Sequence, residues 1–160
     1  MEVFKSKRDV CRLCESSYLE LVVPLAPTPV AEKYLTEKQL GQKELICPLD
    51  LYMCKNCGHV QLLDIIDPKF LYSDYTYSSG NSPGLVKHFK EYANKIVEKY
   101  RPKKDSLVID VGSNDGTLLR FFKDHGLKVL GVDPANEIAE KATSEGINTL
   151  PEFMNIELSK

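Results

Sequence analysis

The chain has no apolar run approaching the ~20 residues that cross a bilayer as a helix. Its opening Met1-Glu2-Val3-Phe4-Lys5 lacks the apolar core and small-residue cleavage site of a secretory leader. It also lacks an excess of either charge: 21 Lys and Arg against 23 Asp and Glu give a formal net charge of −2. That excludes a global basic field for nucleic acid, and the one dense basic stretch, Arg101-Pro102-Lys103-Lys104, reads as a solvated linker. Apolar residues are not scarce. At 42% hydrophobic and 28% charged, the composition is that of a globular chain and excludes a wholly disordered one. The expected setting is cytoplasmic, with no membrane partner. Thiols stay reduced there, so paired cysteines are read as metal ligands before disulfides.

All five cysteines fall in residues 1–65, the first compositional unit. Two C-x-x-C pairs stand out, Cys11-Arg-Leu-Cys14 and Cys54-Lys-Asn-Cys57-Gly58. A two-residue gap lets both thiolates of a pair reach one metal from a tight turn, and two such turns supply the tetrahedral shell of structural Zn²⁺. Gly58 suits the left-handed residue that often ends such a turn. The long segment between the pairs is expected to fold as an insert. Leu21-Val22-Val23 reads as a strand ended by Pro24, Thr36 as the cap of one helical turn. Leu49–Met53 reads as a strand entering Cys54, and Val60–Leu63 as one leaving Cys57. Cys47, without a C-x-x-C partner, reads as a buried apolar residue. His59 reads as a neighbour of the site, since four thiolates already suffice.

Residues 66–104 read as a bridging loop and helix. Pro68 sits at a first helical position, and a polar aromatic loop, Tyr72 to Ser82, follows. Apolar Leu85, Phe89, Tyr92, Ile96 and Tyr100 then recur at three- and four-residue steps, which predicts a helix from about Pro83 to Tyr100. From residue 105 the period changes. Strand Leu107–Val111, helix Thr117–His125, strand Lys128–Asp133, helix Ala135–Ser144 and strand Ile147–Leu150 give β-α-β-α-β, hence a parallel sheet with right-handed crossovers. Such a sheet is covered on both faces, yet these elements leave an edge and much apolar surface open. The ending Glu157-Leu158-Ser159-Lys160 reads as the start of a helix. The expectation is therefore a stretch of a longer protein; the alternative is a small domain that covers its own edge or dimerises.

Between the first strand and helix lies Asp110-Val-Gly112-Ser-Asn114-Asp115-Gly116. This is D-x-G-x-x-x-G, not the G-x-G-x-x-G of nicotinamide-dinucleotide proteins. Gly112 permits a tight turn and close approach of a ligand, Gly116 close packing of helix on strand. Asp110 lies toward the strand end, where doubly wound sheets bind ligands. Asp133 ends the second strand about 20 residues on, where an acid accepts ribose hydroxyls; its plainer reading is a helix cap before Pro134. The order points to a nucleoside ligand. The missing second glycine, which approaches a pyrophosphate, favours S-adenosylmethionine.

Taken together, these blocks resemble the zinc-containing C-methyltransferases of nucleotide-linked deoxysugars. The resemblance is carried by Cys11-x-x-Cys14; Leu25-Ala-Pro-Thr-Pro29 with Ala31 and Tyr34; Cys54-x-x-Cys57-Gly58 with Val60-Gln61-Leu62; Tyr75-Thr-Tyr77-Ser-Ser79 leading to His88-Phe89; and Val108 to Gly116. It implies an α/β architecture: a small four-cysteine zinc-binding domain at 1–65, the bridge at 66–104, and at 105–160 the N-terminal part of a Rossmann-like class I methyltransferase domain. It implies methyl transfer to a sugar carbon beside a ketone, where a base removes the carbon-bound proton and the enolate attacks the methyl group. The family's Tyr/His pair is expected beyond residue 160, so this segment is expected to be inactive alone.

The resemblance implies that Gly112, Asn114, Asp115 and Asp133 approach the cofactor, with Asp110 and Gly116 in the same loop and Glu152 near adenine. Phe153-Met154 departs from the family's usual aromatic pair. Tyr75, Tyr77, Ser79 and Ser82 are candidates for the cofactor or sugar side, or else packed tyrosines beside a serine-rich loop. His88 reads as a helix-face residue, and His125 as a helix-end residue that complements the dipole. The implied partner is a nucleotide sugar, with no nucleic acid. Two other functions remain open: a methyltransferase of the same build for another acceptor, and a zinc-ribbon module for protein or nucleic acid.

Overall fold

Short strands punctuated by proline and polar turns build the first of two units into which the chain divides, Met1–Leu71 and Tyr72–Lys160. The structure is a computed structural model and describes residues 5–160. Residues 1–4, part of the opening read as no leader, lie outside the described residues.

In the first unit, β1 (Lys5–Lys7), β2 (Leu19–Val23), β3 (Thr28–Pro29), β4 (Ile46–Cys47), β5 (Leu51–Cys54), β6 (Val60–Leu62) and β7 (Asp64–Ile66) pair antiparallel throughout. The main sheet has the order β2-β5-β6. The register sets Leu19 opposite Cys54 and Tyr52 opposite Gln61, so both knuckles lie at one end of one sheet. Pro24 follows β2, and the Asp50 carboxylate accepts the Leu25 N–H at 3.0 Å. Thr36 caps a single 3₁₀ turn over Glu37–Gln39. Two pairings went unread in the sequence, β1 with β7 and β3 with β4. Strands of two or three residues carry too little alternation to register as a period. Cys47 is buried in β4, away from the four-cysteine cluster.

A short helix, α1 (Pro68–Tyr72), runs across the boundary between units. The second unit contains α2 (Pro83–Tyr100), β8 (Leu107–Val111), α3 (Thr117–Asp124), β9 (Lys128–Val132), α4 (Asn136–Ser144) and β10 (Thr149–Leu150). Its strands pair parallel in the order β10-β9-β8. Helix α2 starts at Pro83 and ends at Tyr100, where the C-cap Arg101, at φ +44°, stops it before Pro102. Ala93, Phe122 and Leu127 form one core cluster, and Leu119, Ala142 and Ile147 a second; Val108 and Val129 pack against both. Thus α2, expected in a bridge, packs with α3 within this unit. One sheet face is filled. On the other, alternate residues of β8 are open: Leu107, Ile109 and Val111 are 57, 53 and 57% exposed. No helix among the described residues is long and apolar enough to cross a membrane.

Candidate metal centre and candidate cofactor cleft

The four paired cysteines converge: the Sγ atoms of Cys11, Cys14, Cys54 and Cys57 all lie within 4.8 Å of one another. Cys11 lies 3.7 Å from Cys57 and Cys14 3.6 Å from Cys54. A disulfide would need about 2.05 Å. A tetrahedral zinc with bonds of about 2.3 Å places its sulfurs roughly 3.75 Å apart, which the Cys11–Cys57 and Cys14–Cys54 separations match. The donor set therefore fits zinc, and a shell of four thiolates leaves no position open for a substrate.

Both turns are built alike. The Glu15 N–H donates to the Cys11 carbonyl at 3.0 Å, as the Gly58 N–H does to the Cys54 carbonyl at 2.8 Å. Each closing residue is left-handed, Gly58 at φ +75° and Glu15 at φ +59°. Glycine takes that conformation freely, whereas a glutamate does so at a cost of about 1 kcal/mol. Gln61 braces the first turn from β6. Its Oε1 accepts the Arg12 N–H at 2.9 Å, its Nε2 donates to the Val10 carbonyl at 3.3 Å, and it is buried. The lone polar residue in Val60-Gln61-Leu62 was the available signal for this role. His59 lies outside the cluster; its carbonyl accepts the Cys54 N–H at 2.9 Å.

Crowding splits the thiols electrostatically. Cys14 is pulled down to about 6, first by the Asn56 side-chain amide and then by a backbone hydrogen bond from Ser16. Cys57 is pushed up to about 12: the His59 N–H favours its thiolate, but the adjoining Cys14, burial, Cys11 and Cys54 outweigh it. One sulfur ionises readily and its neighbour resists, a conflict that a bound dication removes.

The second unit carries a cleft of 460 Å³ at the C-terminal ends of β8 and β9. Gly112, Asn114, Asp133 and Glu152 line it, with Tyr72 and Tyr75 as aromatic walls. Phe153 and Met154 also face it. Asp133 is buried, and its two carboxylate oxygens accept the Asn114 N–H at 2.8 Å and the Ala135 N–H at 2.9 Å. It therefore ties the loop to the segment that leads into α4, whose N-cap is Ala135 and not Asp133. A carboxylate has about four acceptor positions, so two remain for a ligand.

The other loop residues stand differently. Asp110 pairs with Gly131 across the sheet and does not line the cleft; burial and then the Asp133 charge raise its pKa. Gly116 closes the loop at φ +72°, and a Cβ there would lie 2.7 Å from Ile147 Cγ2, so it sets how closely the start of α3 approaches Ile147, ahead of β10. Asp115 is buried and accepts four hydrogen bonds from protein groups. Desolvation opposes its ionisation, but the hydroxyls of Ser78 and Thr117 and the N–H groups of Gly80 and Thr117 prevail and hold its pKa below the ordinary value.

Of the four candidates for the cofactor or sugar side, only Tyr75 reaches this cleft. Tyr77 and Ser79 meet the side chain of Asn114 through their backbones, and Ser82 caps α2. His88 is exposed on α2, its ring 6.2 Å from Phe89 and 6.5 Å from Tyr92. His125 Nε2 lies 2.8 Å from Asn94 Oδ1 at the end of α3.

Comparison with known proteins bears on both sites. Residues 11–72 match the family Methyltransf_13, described as "Putative zinc binding domain". Over 152 residues the chain is 30% identical to the C-methyltransferase NovU of Streptomyces niveus; the match covers 95% of this chain and 36% of that relative. The chain thus spans about a third of the length of the curated relative it matches.

Proposed function

From the premise that the chain belongs to the zinc-containing C-methyltransferase family, we propose that it is the N-terminal part of an S-adenosylmethionine-dependent enzyme that methylates carbon on a nucleotide-linked keto-deoxysugar. The observation that carries the cofactor reading is the cleft, where Gly112, Asn114, Asp133 and Glu152 meet beside two tyrosines. Asp133 keeps acceptor capacity for the ribose hydroxyls while its backbone bonds hold the loop in shape. Gly112 presents backbone with no side chain between it and a nucleoside. Glu152 follows β10 and is exposed at the rim, and its proposed partner is the adenine amino group. Bound S-adenosylmethionine would supply the methyl group.

The zinc centre is read as structural, since its four thiolates fill a tetrahedron. A nucleotide sugar is the proposed partner. A different acceptor on the same framework is the alternative reading. The slightly acidic balance of the chain speaks against nucleic acid.

Titration of the 160-residue chain with S-adenosylhomocysteine, followed by amide shifts, tests the cofactor reading. Weak binding, with a Kd of about 1 mM, and shifts at Gly112, Asn114 and Asp133 are expected. No shift at saturating ligand overturns the reading. The chain alone is proposed to be inactive; methyl transfer by the isolated 160 residues contradicts that.

A further inference from the structure

The tyrosine-rich segment ahead of α2 is pinned to the ligand loop by side chains of the loop itself. Asp115 Oδ2 accepts the Ser78 hydroxyl at 2.5 Å and the Gly80 N–H at 2.8 Å. Its Oδ1 accepts the Thr117 hydroxyl at 2.6 Å and N–H at 3.1 Å. Those four bonds use the acceptor capacity of a carboxylate, which leaves Asp115 nothing to offer a ligand. Asn114 grips the same segment on its other side. Its Oδ1 accepts the Ser79 N–H at 2.9 Å and its Nδ2 donates to the Tyr77 carbonyl at 2.9 Å.

The fit is close. A Cβ on Gly80 would lie 3.0 Å from Asp115 Oδ2 and 3.3 Å from Thr117 Oγ1. Leading into this strap, the rings of Tyr72, Tyr75 and Tyr77 follow one another at 6.0 and 6.5 Å, and the first two line the cleft.

We infer that Asn114 and Asp115 are positioning residues: they seat the strap 77–81 on the ligand loop so that Tyr75 and Tyr72 form one wall of the nucleoside cleft, and this seating sets the affinity for the cofactor. The inference rests on reading the cleft as the cofactor site. It gives Asp115 a role through the strap instead of through the ligand, and makes Ser78 and Gly80 determinants of affinity though neither lines the cleft.

The test uses the full chain with Ser78→Ala, Ser78→Thr and Gly80→Ala, none of which alters a residue that lines the cleft. Two readouts are taken: the Kd for S-adenosylhomocysteine, and hydrogen exchange at the amides of Ser79 and Gly80 with those of β8 and β9 as reference. Ser78→Ala and Gly80→Ala should each weaken binding about tenfold and speed exchange in the strap while β8 and β9 stay protected. Ser78→Thr keeps the hydroxyl and should keep wild-type affinity. Wild-type binding that survives Ser78→Ala and Gly80→Ala overturns the positioning role alone. A wild-type chain that binds no S-adenosylhomocysteine overturns the reading of the cleft, and the positioning role with it.

Discussion

Replacing Gly116 by alanine adds one methyl group where the start of α3 meets Ile147, in the segment before β10. The new Cβ would sit 2.7 Å from Ile147 Cγ2 and 3.0 Å from its Cβ, at a backbone φ of +72°. The left-handed conformation costs a non-glycine residue about 1–2 kcal/mol. Ile147 is fully buried and cannot swing aside, so overpacking adds about 1–3 kcal/mol. The expected loss is about 2–5 kcal/mol, a large share of a small domain's stability. Gly126 is the control within the same unit: its φ is +78°, but nothing lies within 4 Å of an added Cβ. Gly126→Ala should therefore cost only the backbone part, about 1–2 kcal/mol. The assay is urea unfolding of the full chain, followed at amide signals of β8 and β9. Combining Gly116→Ala with Ile147→Ala should show favourable coupling of about 1 kcal/mol or more, because the truncation removes the clashing Cγ atoms. Equal losses for Gly116→Ala and Gly126→Ala, or strict additivity with Ile147→Ala, would refute the steric argument.

Gln61→Leu should strip the Arg12 N–H and Val10 carbonyl of their partner, lowering first-unit stability by about 2–3 kcal/mol and weakening zinc retention against a chelator. Glu15→Gly should raise the stability of the same unit by about 0.5–1 kcal/mol, because it relieves a left-handed glutamate; an unchanged or lower midpoint contradicts this. The folded pKa of Asp115 is depressed, so its stabilisation is complete above the unfolded value of about 3.9 and is lost as pH falls through the folded value. Asp115→Asn should accordingly destabilise the second unit at pH 7, with the difference fading in acid. Asp110 has the opposite sign: its pKa is raised, so Asp110→Asn should stabilise that unit at pH 7 and lose the advantage as pH drops through the raised value. Unfolding curves across pH decide both.

The long elements were legible because their periods are long. Helix α2 is read to its observed limits because five apolar residues mark its face and Pro83 and Pro102 bracket it. Strand β8 is legible as an apolar run against polar flanks. The zinc ligands were legible because C-x-x-C fixes local geometry and a second pair supplies the rest. Other features were not legible, for reasons of range. Pairing of β1 with β7 joins residues far apart through strands of three residues. Asp115 and Ser78 belong to segments whose meeting depends on how α2 packs with α3, and no spacing rule connects them. Gln61 looks like an ordinary strand residue until the turn that it braces is placed beside it. Left-handed Glu15 is hidden because sequence patterns look for glycine there.

The most direct test is the metal content of the chain together with the folding of its first unit. Purified protein should carry one zinc per chain, and Cys54→Ser should abolish it and unfold Met1–Leu71 while Tyr72–Lys160 keeps its exchange protection. A first unit that is fully folded with no zinc bound would contradict the account.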